Sequence, residues 1–134
     1  GEPRPITPEG VVGNIVSPDG RSLIAFDSHG KAAIYPIEGD ERPRPVPGLD
    51  DKDRIARWSG DGHSLFVYPR GELPIKVSRL DLATGRKELL KEVLPADRAG
   101  ISQPPNIYLT VDGKGYVYRV SRYLMDLYLV DGLK

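Results

Sequence analysis

Apolar and polar positions recur along the chain in one arrangement, three times over. A short segment ending in apolar residues leads into a hydroxyl-x-Asp-Gly turn, and a second apolar segment follows. Residues 14–26 align without gaps on residues 56–68, and residues 107–119 repeat the frame with Thr110, Asp112 and Gly113 in register. Ser17 to Ser59 is 42 positions, and Ser59 to Thr110 is 51. Each copy predicts a β-hairpin, because glycine takes positive φ without steric cost and aspartate bonds nearby backbone amides.

The second segments, 23–26, 65–68 and 116–118, are apolar almost continuously. A strand with one solvated face alternates, so these strands are expected to be covered on both faces. Third segments follow at 33–37, 77–82 and 126–130, each running into a glycine turn at Gly39, Gly85 or Gly132. Fourth strands are then predicted at 43–46 and 87–90. Residues 87–94 also suit a short helix, through Glu88, Leu89, Leu90 and Val93. Pro36 is expected at an edge or a bend, since it donates nothing to a ladder. The stretch 94–105, which accounts for the longer second period, is expected to be irregular.

Four-stranded sheets repeating at about 40 to 45 residues are the sequence signature of β-propeller blades. The expected fold is therefore all-β: a partial β-propeller of three four-stranded antiparallel blades. Residues 1–10 are expected to form a strand completing a neighbouring blade, 11–50 the first blade, 51–100 the second, and 101–134 a third lacking its last strand. The first of these boundaries rests on Pro3-Arg4-Pro5-Ile6, which matches the Pro43-Arg44-Pro45-Val46 of the first blade's fourth strand.

The Ser17-Pro18-Asp19-Gly20 turn, Trp58 ahead of the second turn, and the segment Leu80-Asp81-Leu82-Ala83-Thr84-Gly85 resemble the TolB-like, WD-repeat-like propellers of bacteria, over nearly all of the chain. Residues 126–134 are similar to the terminus of propeller regions attached to bacterial serine/threonine kinases and winged-helix regulators. Gly60 and Val111 depart from the pattern where the first copy has Pro18. The resemblance implies half of a six-bladed ring, serving as a non-catalytic module for protein or ligand interaction. The alternative it implies is a gate or substrate-binding ring in a propeller-containing hydrolase. Three blades leave two terminal sheets bare, so the expected partner is a second copy closing the ring as a homodimer, or the missing half of the same propeller. In the homodimer, the segment near Pro5 of each copy would complete the other's third blade. A protein or peptide ligand is expected as well. The Gly1-Glu2-Pro3-Arg4-Pro5 start has no methionine and no signal-peptide core, and is read as excised from a longer protein.

Composition narrows the picture further. With Gly 15 and Pro 13 in 134 residues, turns are too frequent for a helix bundle, and the length suits one domain. Nineteen basic and nineteen acidic residues cancel, which removes the attraction that nucleic acid or an anionic membrane exploits. The absence of cysteine excludes disulfides, thiolate metal sites and a cysteine nucleophile. No apolar stretch approaches the roughly 18 residues of a membrane span.

Candidate chemistry is sparse. Asp19, Asp61 and Asp112 occupy equivalent positions, which suggests metal binding or acid catalysis, but turn geometry already explains an aspartate before glycine. Asp50-Asp51-Lys52-Asp53 lacks the downstream Gly and Glu of a calcium loop and reads as a solvated loop. Arg57-Trp58-Ser59-Gly60-Asp61-Gly62 approximates a nucleophile elbow, yet arginine stands where that motif needs glycine. His29 and His63 sit beside glycines in predicted turns, away from any Ser-His-Asp arrangement. Trp58 is expected to fill space between sheets rather than to stack on a ligand. Tyr108, Tyr116, Tyr118, Tyr123 and Tyr128, with Arg119 and Arg122, are expected mostly to pack between blades, the other reading being an aromatic and basic recognition surface. No phosphate loop, kinase catalytic loop or zinc motif occurs, and no catalytic residue, metal or cofactor is assigned.

Overall fold

The computed structural model describes residues 2–96, 99 and 101–122, and among them ten strands and no helix. Strands β1 (Val12–Val16), β2 (Ser22–Phe26), β3 (Ala32–Pro36) and β4 (Arg44–Pro45) form one antiparallel sheet in chain order. Strands β5 (Asp53–Trp58), β6 (Ser64–Pro69), β7 (Ile75–Asp81) and β8 (Lys87–Val93) form a second sheet in the same order. Strands β9 (Ile101–Leu109) and β10 (Tyr116–Arg122) pair antiparallel in a third. The protein is thus all-β, built from meandering antiparallel sheets. A third four-stranded sheet is not observed: two strands are described, and the strand expected at 126–130 lies outside the described residues.

The three hairpin turns join β1 to β2, β5 to β6 and β9 to β10, as the repeat requires. The repeat extends to an irregularity. Opposite β2, residue Asn14 is inserted between the Gly13–Ala25 and Ile15–Ile24 pairs; opposite β6, Ala56 is inserted between the Ile55–Val67 and Arg57–Phe66 pairs. Asn14 and Ala56 are equivalent positions, so both first strands carry the same bulge. In β9 the equivalent position pairs regularly, and the bulge falls instead at Pro104-Pro105, two residues facing the single Val120 between the Gln103–Ser121 and Asn106–Arg119 pairs. Neither proline can donate to the ladder, which is why an unpaired position is tolerated there.

Strand β6 explains how the sheets stack. Leu65 and Val67 point into one cluster, with Ile24, Ile34, Trp58 and Leu80. Phe66 and Tyr68 point into another, with Val77, Val93, Ile107 and Leu109. The second sheet is therefore covered on both faces, by the first sheet on one side and the third on the other, as its unbroken apolar run predicts. Where strands of different sheets come together, it is mainly first strand to first strand: β1 beside β5, and β5 beside β9.

Residues 87–93 form strand β8, in line with the fourth strand expected at 87–90, and the helical alternative fails because β7 offers an open ladder from Ile75 to Leu80, whereas a seven-residue helix would be marginal on its own. The stretch expected to be irregular, 94–105, becomes strand from Ile101 onward. Pro36 closes β3 opposite Ser22, and the next amide, of Ile37, donates to the Arg21 carbonyl at 2.9 Å. Residues 2–10 belong to no strand, and Arg4 Nη2 donates to the Ile37 carbonyl at 3.1 Å.

Candidate functional site

The three Asp-Gly turns are built on the same three side-chain bonds. Ser17 donates to Asp19 Oδ1 at 2.6 Å, the Arg21 amide donates to the same oxygen at 3.0 Å, and the Ser22 amide donates to Ser17 Oγ at 3.0 Å. Ser59, Asp61, His63 and Ser64 repeat these bonds at 2.6, 2.9 and 3.1 Å. Thr110, Asp112, Lys114 and Gly115 repeat them at 2.6, 2.9 and 2.9 Å. Gly20, Gly62 and Gly113 close the turns at φ of 72°, 75° and 72°, a region that favours glycine. The bonds from Ser17, Ser59 and Thr110, followed by those from the amides, hold Asp19, Asp61 and Asp112 below the usual carboxylate value of 3.8.

The turns stand in a row. A Cβ placed on Gly62 would meet the Pro18 ring at 3.9 Å, and one placed on Gly60 would meet Val111 Cγ1 at 2.8 Å. Between the first two turns opens a cleft of about 490 Å³, lined by Asp19, Arg44, Asp61 and His63 among others. Between the second and third opens one of about 670 Å³, lined by Asp61, Arg79, Thr110 and Asp112 among others. The repeated aspartates thus come together in neighbouring pairs, each cleft also receiving an arginine. No group of three metal-ligating side chains occurs among the described residues.

Side chains at the end of β5 tie the row together. Trp58 is buried between the first and second sheets, and its indole N–H donates to the Ile15 carbonyl of β1 at 3.1 Å. Its neighbour Arg57 reaches the other way, Nη1 donating to the Leu109 carbonyl of β9 at 3.0 Å. Trp58 is therefore a packing residue, as expected. The role of Arg57 is not visible in the sequence, where it stands out only by spoiling a nucleophile elbow. That motif is absent structurally too: the segment is a strand-to-strand turn, and Ser59 Oγ bonds to Asp61 and the Ser64 backbone, with no histidine.

The remaining candidates disperse. His29 lies in the β2–β3 turn, where Asp27 Oδ1 accepts the His29 and Lys31 amides, and it lines a separate cleft with Asp50, Asp51 and Asp53. The acidic run is not simply solvated. Lys87 Nζ donates to Asp50 Oδ2 at 2.8 Å and also to Asp53, whose side chain is nearly buried. Burial opposes the ammonium, but the bonds to Asp50 and Asp53 outweigh it and raise Lys87 above its ordinary 10.5. An ammonium already occupies the place that a cation would take. Tyr108, Tyr116 and Tyr118 are exposed and not packed between sheets, Lys91 Nζ lying 5.1 Å from the centre of the Tyr116 ring. Tyr123 and Tyr128 lie outside the described residues. Compared with protein-family models and with curated proteins, the sequence finds no match.

Proposed function

We propose that this chain is a run of consecutive blades of a TolB-like β-propeller, acting as a rigid, non-catalytic scaffold that presents its hairpin turns to a protein or peptide ligand. One observation carries the reading: successive sheets approach through their first strands while their Asp-Gly turns stand side by side. Blades around a common axis meet in that way, with inner strands close and outer strands splayed. The turn row is suited to recognition because its backbone is held by bonds repeated in each copy, so little ordering entropy is lost on binding. Its clefts combine carboxylates with Arg44 or Arg79, which favours a ligand segment carrying both charge signs. The scaffold completes its ring with further blades, supplied by a second copy or by the remainder of a longer protein.

Peptide-array binding followed by amide NMR mapping tests the proposal. Shifts confined to residues 17–22, 59–64 and 110–115 are the expected result. Shifts centred elsewhere, or hydrolysis of a chromogenic ester abolished by Ser59→Ala, would overturn it in favour of a hydrolase.

A further inference from the structure

We infer that two copies of this chain close on each other, the free face of the third sheet of each packing on the free face of the first sheet of the other. The inference rests on the propeller reading and adds the partner and the register of contact. Equivalent repeat positions differ sharply in exposure. Ile24 and Phe66 are 0% exposed, whereas Val117 in the same position of the third copy is 66% exposed. Trp58 and Leu109 are 5% and 8% exposed, whereas Val16 in the same position of the first copy is 51% exposed.

The two positions are the halves of one junction. Ile24 of the first sheet lies in a cluster with Trp58 of the second, and Phe66 of the second in a cluster with Leu109 of the third. Continuing the series, Val117 of the third sheet seeks a residue in the Val16 position. Within one chain the second sheet stands between them, covered on both faces, so a single copy cannot join its own two halves. A second copy brings Val117 to the partner's Val16 and, by two-fold symmetry, the partner's Val117 to Val16, using both free faces at once. Tyr108, exposed and in the position from which Arg57 crosses to the third sheet, widens the contact. A formal net charge of zero leaves no net repulsion between copies.

The chain contains no cysteine, so single thiols can be placed cleanly. Val16→Cys and Val117→Cys proteins, purified separately, mixed and treated with a short bis-maleimide, are expected to yield a covalent dimer. Neither variant alone should do so. Cross-linking of Val117→Cys by itself, or no product from the mixture, would overturn the Val117–Val16 contact. Sedimentation of the unaltered protein at micromolar concentration should give a dimer. Val117→Glu should weaken it by on the order of a hundredfold, since each of two junctions then buries an unpaired charge. A folded wild-type monomer with buried Trp58 emission overturns the second copy as partner and leaves the propeller reading standing. Solvent-exposed Trp58 emission in the native protein would instead strike at the sheet stacking on which both rest.

Discussion

At the scale of single residues, the repeated turn is an electrostatic device made from four groups: a hydroxyl, a carboxylate oxygen and two backbone amides. Ser59 is the most consequential, because it is buried and its Oγ accepts the amide of Ser64, which is buried as well. Ser59→Ala should cost about 1–3 kcal/mol, the penalty of an unsatisfied buried donor, read from urea denaturation. The carboxylates give a pH signature. Asp19, Asp27, Asp61 and Asp112 are all held below 3.8 when folded, so the unfolded chain binds more protons in that range. Their contribution is present above pH 3.8 and is lost as pH falls through their lower folded values. Lys87 acts in the opposite sense: raised above 10.5, its contribution is full below that pH and disappears as pH rises through the folded value. Denaturation midpoints measured across pH should fall at both ends, and Lys87→Met should remove the alkaline loss while lowering stability at neutral pH, because Asp53 then lacks its cation. Asp19, Asp61 and Asp112 could be read from the sequence, being next to glycine, whereas Asp27, followed by Ser28, carries no such mark. Lys87 could not, because its partners lie 37 and 34 positions away and no local pattern marks it.

Among elements, β6 decides the energetics. Its side chains serve two clusters at once, so damage to it should not stay on one side. Phe66→Ala is expected to cost about 3–5 kcal/mol, as for other large core truncations, whereas Val117→Ala at the equivalent position of the third sheet should cost the isolated chain little. Calorimetry on the two variants checks the contrast. The connection from β4 to β5 supplies a second test. Gly48 has a φ of 72°, and a Cβ there would lie 2.1 Å from the Gly85 carbonyl oxygen, a clash with backbone that no rotamer change relieves. Gly48→Ala should therefore lower the melting temperature clearly more than Gly39→Ala, which shares a positive φ but faces open space. The hairpins were legible because Asp-Gly turns act within a few residues. The choice of strand over helix for 87–93 was not, since the apolar pattern of Lys87-Glu88-Leu89-Leu90 fits both and the edge of β7 settles it.

For the whole molecule, the stacking of sheets about their first strands should make unfolding a single event. Trp58, the one tryptophan, sits in the junction between the first and second sheets and is tied to Ile15. Its emission should be that of a buried indole and should shift to the red in the same transition that far-UV circular dichroism reports. Two separated transitions would mean that the sheets are independent units.

The sequence by itself determined the local chemistry: three hairpins of one design and second strands that are apolar almost without a break. It could do so because turn geometry and strand periodicity are decided by neighbours a few positions apart. Tertiary structure alone decided that Arg57 crosses to β9, that Lys87 bridges Asp50 and Asp53, and that the same repeat position is buried in Phe66 and bare in Val117. Those outcomes depend on which sheet faces which, and identical local patterns acquire different surroundings once the copies stack in order.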